Sequence, residues 1–168
     1  MRRVNTAIIV AAITFGGLIG CAEEARESAP EFGTLQGTVT RSVAAVSDDA
    51  PAGTLYISLF ENDPVQAGST DNPPVANLVV TDADLSDLGS QISFELPNIP
   101  TRPEAYVITA VFDTNQNLEE TDPPGPDNGD LVALEGIKSP KIIVNQAVVN
   151  AEIELNFECS DGICDPLD

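Results

Sequence analysis

The stretch EAYVITAVFD, residues 104–113, carries apolar side chains at both odd and even positions. In a β-strand, successive side chains point to opposite faces of the sheet, so each set of alternate positions reports on one face. A run that is apolar at both sets predicts a strand that is covered by protein on both sides. This segment therefore predicts a central strand of a β-sheet.

The segments on both sides of this stretch are short. In several of them apolar and polar residues alternate, as they do in half-buried strands. They are GTLQGTVTRSV (33–43), GTLYISLF (53–60), VANLVVT (75–81), QISFELP (91–97), DLVAL (130–134) and the two parts of KIIVNQAVVNAEIELNFE (141–158), which divide near Asn145. Turn-forming residues separate the strands, at Asp49–Pro51, Asp63–Pro64, Asn72–Pro74 and Asn98–Pro100. Seven or eight such strands predict a single all-β domain over residues 33–158, an antiparallel sandwich.

Three segments resemble the frame of transthyretin-like sandwich domains, which include the carboxypeptidase regulatory-like domains. They are GTVT (37–40), GTLYISLFENDP (53–64) and ISFELPNIPTRPEAYVITAVFDTNQN (92–117). The frame has a G-x-V opening strand, an L-x-V-x-L strand, and an F-x-F-x-x-L-P strand that leads into Y-x-V-x-A-x-x-D-x-N-x-N-G. The resemblance spans about residues 33 to 157 and implies the same sandwich fold. Two positions depart from it, because RPEA (102–105) replaces a Pro-x-Gly turn and Leu118 replaces the last Gly.

Residues 1–20 have the features of a signal peptide, since two arginines precede an apolar run from Ala7 to Gly20 that is too short to span a membrane. The run ends in LIGC (18–21), which resembles the lipobox of bacterial lipoproteins. The resemblance implies that cleavage leaves Cys21 as an acylated first residue that anchors the chain in a membrane. Residues 21–32 are then an acidic tether. In such lipoproteins an Asp after the Cys favours the inner membrane, so Ala22 favours the outer membrane of a cell envelope. The alternative to a lipid anchor is ordinary secretion after cleavage near this point.

The chain is strongly acidic, with a formal net charge of −20 from seven basic and 27 acidic residues. This charge argues against nucleic acid as a partner, because phosphates would be repelled, and against a polybasic lipid-binding patch. The sequence contains no His, so the commonest general base and the usual Ser–His and Cys–His pairs are missing. We therefore expect a protein without catalytic activity.

Two cysteines remain besides Cys21, in the segment ECSDGICD that opens the acidic tail 159–168. A compartment outside the cytosol permits a disulfide, and Asp161–Gly162 is a good turn between Cys159 and Cys164. The alternative is a metal-binding or redox-active pair of thiols, but without His this would be a poor zinc site. The sequence favours a structural disulfide.

The segment DTNQNLEETDPPGPDNGD, residues 113–130, follows the central strand and is rich in oxygen ligands. Asp113, Asn115 and Asn117 stand at alternate positions, so an extended backbone would point them the same way, as at the start of a calcium-binding loop. The further candidate ligands are Glu119, Glu120, Asp122, Asp127 and Asp130. The loop is not an EF-hand, because Leu118 and Pro124 stand where Gly and Glu are needed. The alternative is a solvated loop of ordinary turn-forming residues.

Together these features predict a non-catalytic, lipid-anchored envelope protein that acts as a structural or protein-binding module. A calcium-dependent adhesion or carbohydrate-binding module is the alternative, and exposed aromatic side chains beside the acidic loop would favour it. Alternation places Tyr56 outward, whereas Phe60, Tyr106 and Phe112 are assigned to the core or its margin. An acid–acid hydrolase ranks last, because it needs two close carboxylates in a pocket.

Overall fold

In a computed structural model of the chain, the residues described are 30–42, 52–64, 72–87, 89–118 and 125–160. They form nine strands: β1 (Phe32–Arg41), β2 (Gly53–Phe60), β3 (Ala76–Ala83), β4 (Ile92–Pro100), β5 (Tyr106–Asp113), β6 (Leu131–Val132), β7 (Lys141–Ile142), β8 (Val148–Leu155) and β9 (Phe157–Glu158). The strands build two sheets that pack as a sandwich, which confirms the predicted all-β fold. The transthyretin-like form of that sandwich stays a prediction. No helix in these ranges is long and apolar enough to cross a bilayer.

The central strand predicted from residues 104–113 is β5. It pairs with β2 along one edge and with both β6 and β7 along the other, in a six-stranded sheet ordered β3-β2-β5-β6-β9. Seven of its eight residues are buried. Both faces of β5 are therefore covered, which confirms the expectation from its composition.

The second sheet has three strands in the order β4-β1-β8. The prediction of a wholly antiparallel sandwich is wrong here, because β1 and β8 run parallel, from Thr34 opposite Val148 to Arg41 opposite Leu155. Alternation along a single strand carries no information about the direction of its neighbour, and the rest of the domain supplies the long crossover that a parallel pair needs. Gly37 permits the close approach, since a Cβ there would overlap the carbonyl oxygen of Ala151.

The main core lies between the two sheets and is aliphatic with a few aromatic rings. Its fully buried large side chains include Tyr106, Phe112, Leu35, Leu55, Ile57, Leu59, Leu96, Leu131 and Leu155. A second, smaller cluster of Tyr56, Val111, Val132 and Cys159 lies apart from it. Tyr56 is predicted to face outward, yet it is only 9% exposed. The side chains of Leu118, Leu134 and Phe157 pack on this smaller cluster and cover it.

The residues Asn98–Pro100, expected to form a turn, belong to β4. Gly33 lies opposite Ile99 and Leu35 opposite Leu96, so the register between them shifts by one residue. Asn98 takes a left-handed conformation there, with φ of 59°. The segment is therefore a β-bulge, which uses the same residue types as a turn but lets the strand continue.

Candidate functional site

The acidic loop begins at Asp113, the last residue of β5. This carboxylate is 1% exposed, and its two oxygens accept hydrogen bonds from the backbone N–H groups of Gln116 (2.6 Å) and Leu118 (3.1 Å). Gln116 has a φ of 55°, so the chain turns here and does not continue extended. The expectation that Asp113, Asn115 and Asn117 project side by side from an extended segment is therefore wrong, because the carboxylate of Asp113 folds the backbone around itself.

Asp130 closes the other end of the loop in a similar way. It is fully buried, and its two oxygens accept hydrogen bonds from the backbone N–H groups of Thr114 (3.3 Å) and Asp127 (2.9 Å). The Thr114 hydroxyl also donates to the carbonyl oxygen of Gly129 at 2.9 Å. The two ends of the loop are thus joined beside the end of β5.

Asn115 and Asn117 meet Asp127 across the loop. The side-chain amide nitrogens of the two asparagines donate to the two carboxylate oxygens of Asp127, at 3.2 Å and 2.7 Å. The side-chain oxygen of Asn115 accepts from the backbone N–H of Asn117 at 3.1 Å. The structure therefore brings these predicted ligands together, but their polar atoms form hydrogen bonds with one another.

The electrostatics of the loop centre on Asp130. Burial raises the pKa of this carboxyl to about 6, the two backbone N–H donors oppose that rise, and the negative charges of Asp127 and Asp113 add to it. Protonation of Asp130 would relieve part of the repulsion among the three acids. The carboxyl is enclosed and already hydrogen-bonded, so it is not presented to a substrate in solution.

The predicted calcium site is only partly within the described residues. Asp113, Asn115, Asn117, Asp127 and Asp130 are together, whereas Glu119, Glu120 and Asp122 lie outside the ranges that the structure describes. Within those ranges no group of three or more His, Cys, Asp or Glu residues is arranged to hold a metal ion. Calcium binding stays a prediction, and the contacts seen here are those of a hydrogen-bonded loop.

Leu118, which departs from the glycine of the family frame, packs on the smaller hydrophobic cluster with Tyr56 and Cys159. Backbone hydrogen bonds between Cys159 and residues 129–130 join the loop to the C-terminal segment. Cys159 is buried. Cys164, its predicted partner, and Cys21, the predicted anchor, lie outside the described residues, so the disulfide pairing and the acylation stay predictions.

A groove of about 340 Å³ opens between the two sheets on the side of β8, away from the features expected from sequence. Its apolar lining includes Ile108 and Ile142 from the six-stranded sheet, with Ala151 and Ile153 from β8. Four charged residues also border it, namely Glu135, Lys141, Glu152 and Glu154, of which the two on β8 expose their side chains on the opposite face of the strand. The groove is at the lower end of the size range, roughly 300–1,000 Å³, that is typical of binding sites in proteins.

The strand β8 forms one wall of this groove and is the last strand of its sheet. Among the described residues no strand pairs with its outer edge, although β8 is eight residues long. Next to the groove, the turn that joins Glu135 to Lys138 carries Ile137, whose side chain is 92% exposed. The alternation in NAEIEL gives the two faces of β8, but it does not tell which edge of the strand is unpaired.

No protein-family model matches this chain, and no curated protein matches it. Among solved structures, the chain is similar to an alternative pilotin from the type II secretion system of Vibrio cholerae. The identity is 12%, the match covers 74% of this chain and 96% of that chain, and the TM-score is 0.43.

Proposed function

We propose that this protein is a non-catalytic, lipid-anchored module of the cell envelope, held in the outer membrane through Cys21, that binds a segment of a protein partner at the groove beside β8. The observation that carries the proposal is the outer edge of β8, which no strand of the described residues pairs with, beside a groove of mixed polar and apolar lining. A strand edge presents backbone donors and acceptors to any extended chain, and natural proteins usually shorten or cover such edges. An eight-residue edge beside a groove with apolar residues in its wall is therefore suited to binding another polypeptide.

The alternatives have less support from the described residues. Tyr56, Phe60, Tyr106 and Phe112 are at most 9% exposed, so these rings do not form the stacking platform that a carbohydrate-binding module would use. The buried acids of the loop have backbone N–H groups on their oxygens, which does not suit the acid–acid pair of a hydrolase. The anchor follows from the resemblance of LIGC to a lipobox.

Binding at the groove is tested by photo-crosslinking in cells. A photoreactive amino acid replaces Glu152, which is exposed on β8 at the edge of the sheet, or Glu95, which is exposed on β4 at the far side of the same sheet. We expect a discrete protein adduct from position 152 and none from position 95. Equal labelling from both positions, or no adduct from position 152, would contradict the proposal.

The anchor is tested separately, by metabolic labelling with a radioactive fatty acid. We expect the full chain to be labelled and the Cys21→Ser variant to be unlabelled and released from the membrane fraction. A membrane-bound, unlabelled parent chain would show that another feature holds it there.

A further inference from the structure

We infer that the groove binds an extended, positively charged polypeptide segment, which adds as a new strand to the edge of β8 that no described strand pairs with. The inference rests on the proposed function and names the chemistry of the partner segment. In this arrangement the segment carries basic side chains on its outer face and apolar side chains on the face that enters the groove.

The hydrogen bonding of β8 shows which backbone groups remain for a partner. The N–H of Thr34 donates to the carbonyl of Ala147, and the N–H of Ser42 donates to the carbonyl of Leu155, at the two ends of the parallel β1–β8 pair. In a parallel ladder the hydrogen bonds are evenly spaced, so the backbone N–H and C=O groups of the odd-numbered residues of β8 bond to β1. The N–H and C=O groups of Asn150, Glu152 and Glu154 therefore point toward the unpaired edge.

The side chains of β8 determine what an added strand must carry. Ile153 is buried and Ala151 is half-buried, and both line the groove, whereas Glu152 and Glu154 are exposed. Neighbouring strands place side chains of the same face next to each other. Alternate residues of the added strand would therefore lie beside the two glutamates, and the residues between them would extend the apolar wall of the groove.

The charges around the groove determine which charge the partner segment should carry. Glu152 and Glu154 are exposed on the outer face of β8, and among the residues that border the groove Glu135 and Lys141 add one charge of each sign. The chain as a whole carries a formal net charge of −20, which attracts a cationic segment and repels an anionic one. A basic residue beside each exposed glutamate forms a favourable cross-strand pair.

A second copy of this chain is disfavoured as the occupant. If two β8 strands paired antiparallel about Ile153, Glu152 of each copy would lie opposite Glu154 of the other. Like charges directly opposite each other destabilise a strand pair. In that register the two glutamates oppose self-association through this edge while they favour a basic partner.

The test measures the binding of synthetic peptides to the full chain in detergent, by fluorescence anisotropy at low and at high salt. One peptide alternates valine and lysine over about ten residues, a second alternates valine and glutamate, and a third is the valine–lysine peptide with alternate backbone nitrogens methylated. We expect only the first peptide to bind, more weakly at high salt, and to slow hydrogen exchange of the Asn150, Glu152 and Glu154 amides.

The double variant Glu152→Lys, Glu154→Lys should weaken binding of the valine–lysine peptide roughly tenfold, as expected when two cross-strand charge pairs become repulsive. Glu95→Lys, on an exposed face of the same sheet, is the matched control and should change affinity little. Equal binding of the methylated peptide, equal binding of the glutamate peptide, or a dimer that forms through β8 would each overturn the inference. If no peptide binds but the crosslink from position 152 persists, the inference fails and the proposed function stands.

Discussion

Removal of the Asp113 carboxylate should destabilise the domain strongly. This group is 1% exposed, and its two oxygens hold the backbone N–H groups of Gln116 and Leu118. Asp113→Ala leaves both N–H groups without that acceptor at the point where the chain turns away from β5. The loop would then lose the contacts that fix its first turn.

The size of the effect follows from the two hydrogen bonds. A hydrogen bond to a charged group contributes about 1.5–3 kcal/mol to the free energy of unfolding. Gln116 is exposed and Leu118 is half-buried, so water can replace part of what is lost. Removal of one of three neighbouring negative charges also relieves the repulsion acting on Asp130. We expect a net loss of about 2–4 kcal/mol for Asp113→Ala, and about half of that for Asp113→Asn, which keeps one acceptor oxygen.

Thermal unfolding followed by circular dichroism measures this loss. For a domain of this size, a loss of 2–4 kcal/mol lowers the melting temperature by about 8–15 °C. Glu95→Ala, on an exposed strand face, is the control and should change stability by less than about 0.5 kcal/mol. An Asp113→Ala variant that melts within a degree or two of the parent would refute the role given to this carboxylate.

The same melting curves separate the two interpretations of the acidic loop when they are run in EDTA and in millimolar calcium. Since backbone N–H groups occupy the Asp113 oxygens, we expect Asp113→Ala to lose the same stability in both conditions. A cation that binds only the folded chain at 100 times its Kd would add about 2.7 kcal/mol. A rise of that size in the parent, absent from the variant and from matched magnesium samples, would make Asp113 a calcium ligand instead.

Three further outcomes are expected from the same assay. Gly37→Ala should cost about 3 kcal/mol or more, because its Cβ would overlap the Ala151 carbonyl oxygen, while Gly89→Ala, in open space, should cost little. Tyr106→Phe should cost about 1–2 kcal/mol, since the hydroxyl donates to the Pro100 carbonyl oxygen at 2.6 Å; a change below about 0.3 kcal/mol would contradict this. The pKa of Asp130 is raised in the folded state, so its stabilisation is complete below about pH 4 and is lost as the pH rises through about 6. The parent should therefore gain stability relative to Asp130→Asn as the pH falls from 7 to 4.5, and a pH-independent difference would contradict the shift.

The sequence predicts well those features that depend on which residues are apolar. Its doubly apolar run located β5, because burial on both faces of a strand leaves a direct signal in the sequence. Tyr56 was misassigned since alternation gives the face of a residue and not what covers that face. Its cover includes Leu118 and Phe157, which come from distant parts of the chain.

Features that depend on hydrogen-bond partners were harder to predict. Asn98–Pro100 and Asp113–Asn117 both contain residues that accept left-handed or turn conformations, and such residues serve bulges, turns and ligand loops alike. In the structure, Asn98 forms a bulge and the Asp113 carboxylate binds backbone N–H groups. Sequence composition identifies the polar atoms available, but it does not identify their partners. For the same reason, the residues of β8 do not reveal that one of its edges pairs with no described strand.

The acidic residues of this chain differ in what their charges can reach, although each counts equally in the net charge. Asp113 and Asp130 are buried and bind backbone N–H groups, so their charges act mainly within the loop. Glu152 and Glu154 are exposed, and their backbone N–H and C=O groups point away from β1 and do not bond to it. A partner recognised through charge and backbone together is therefore expected at β8 and not at the loop that concentrates the most acids. Exchanging Glu152 and Glu154 for lysine should change binding without changing stability, whereas changes at Asp113 should do the reverse.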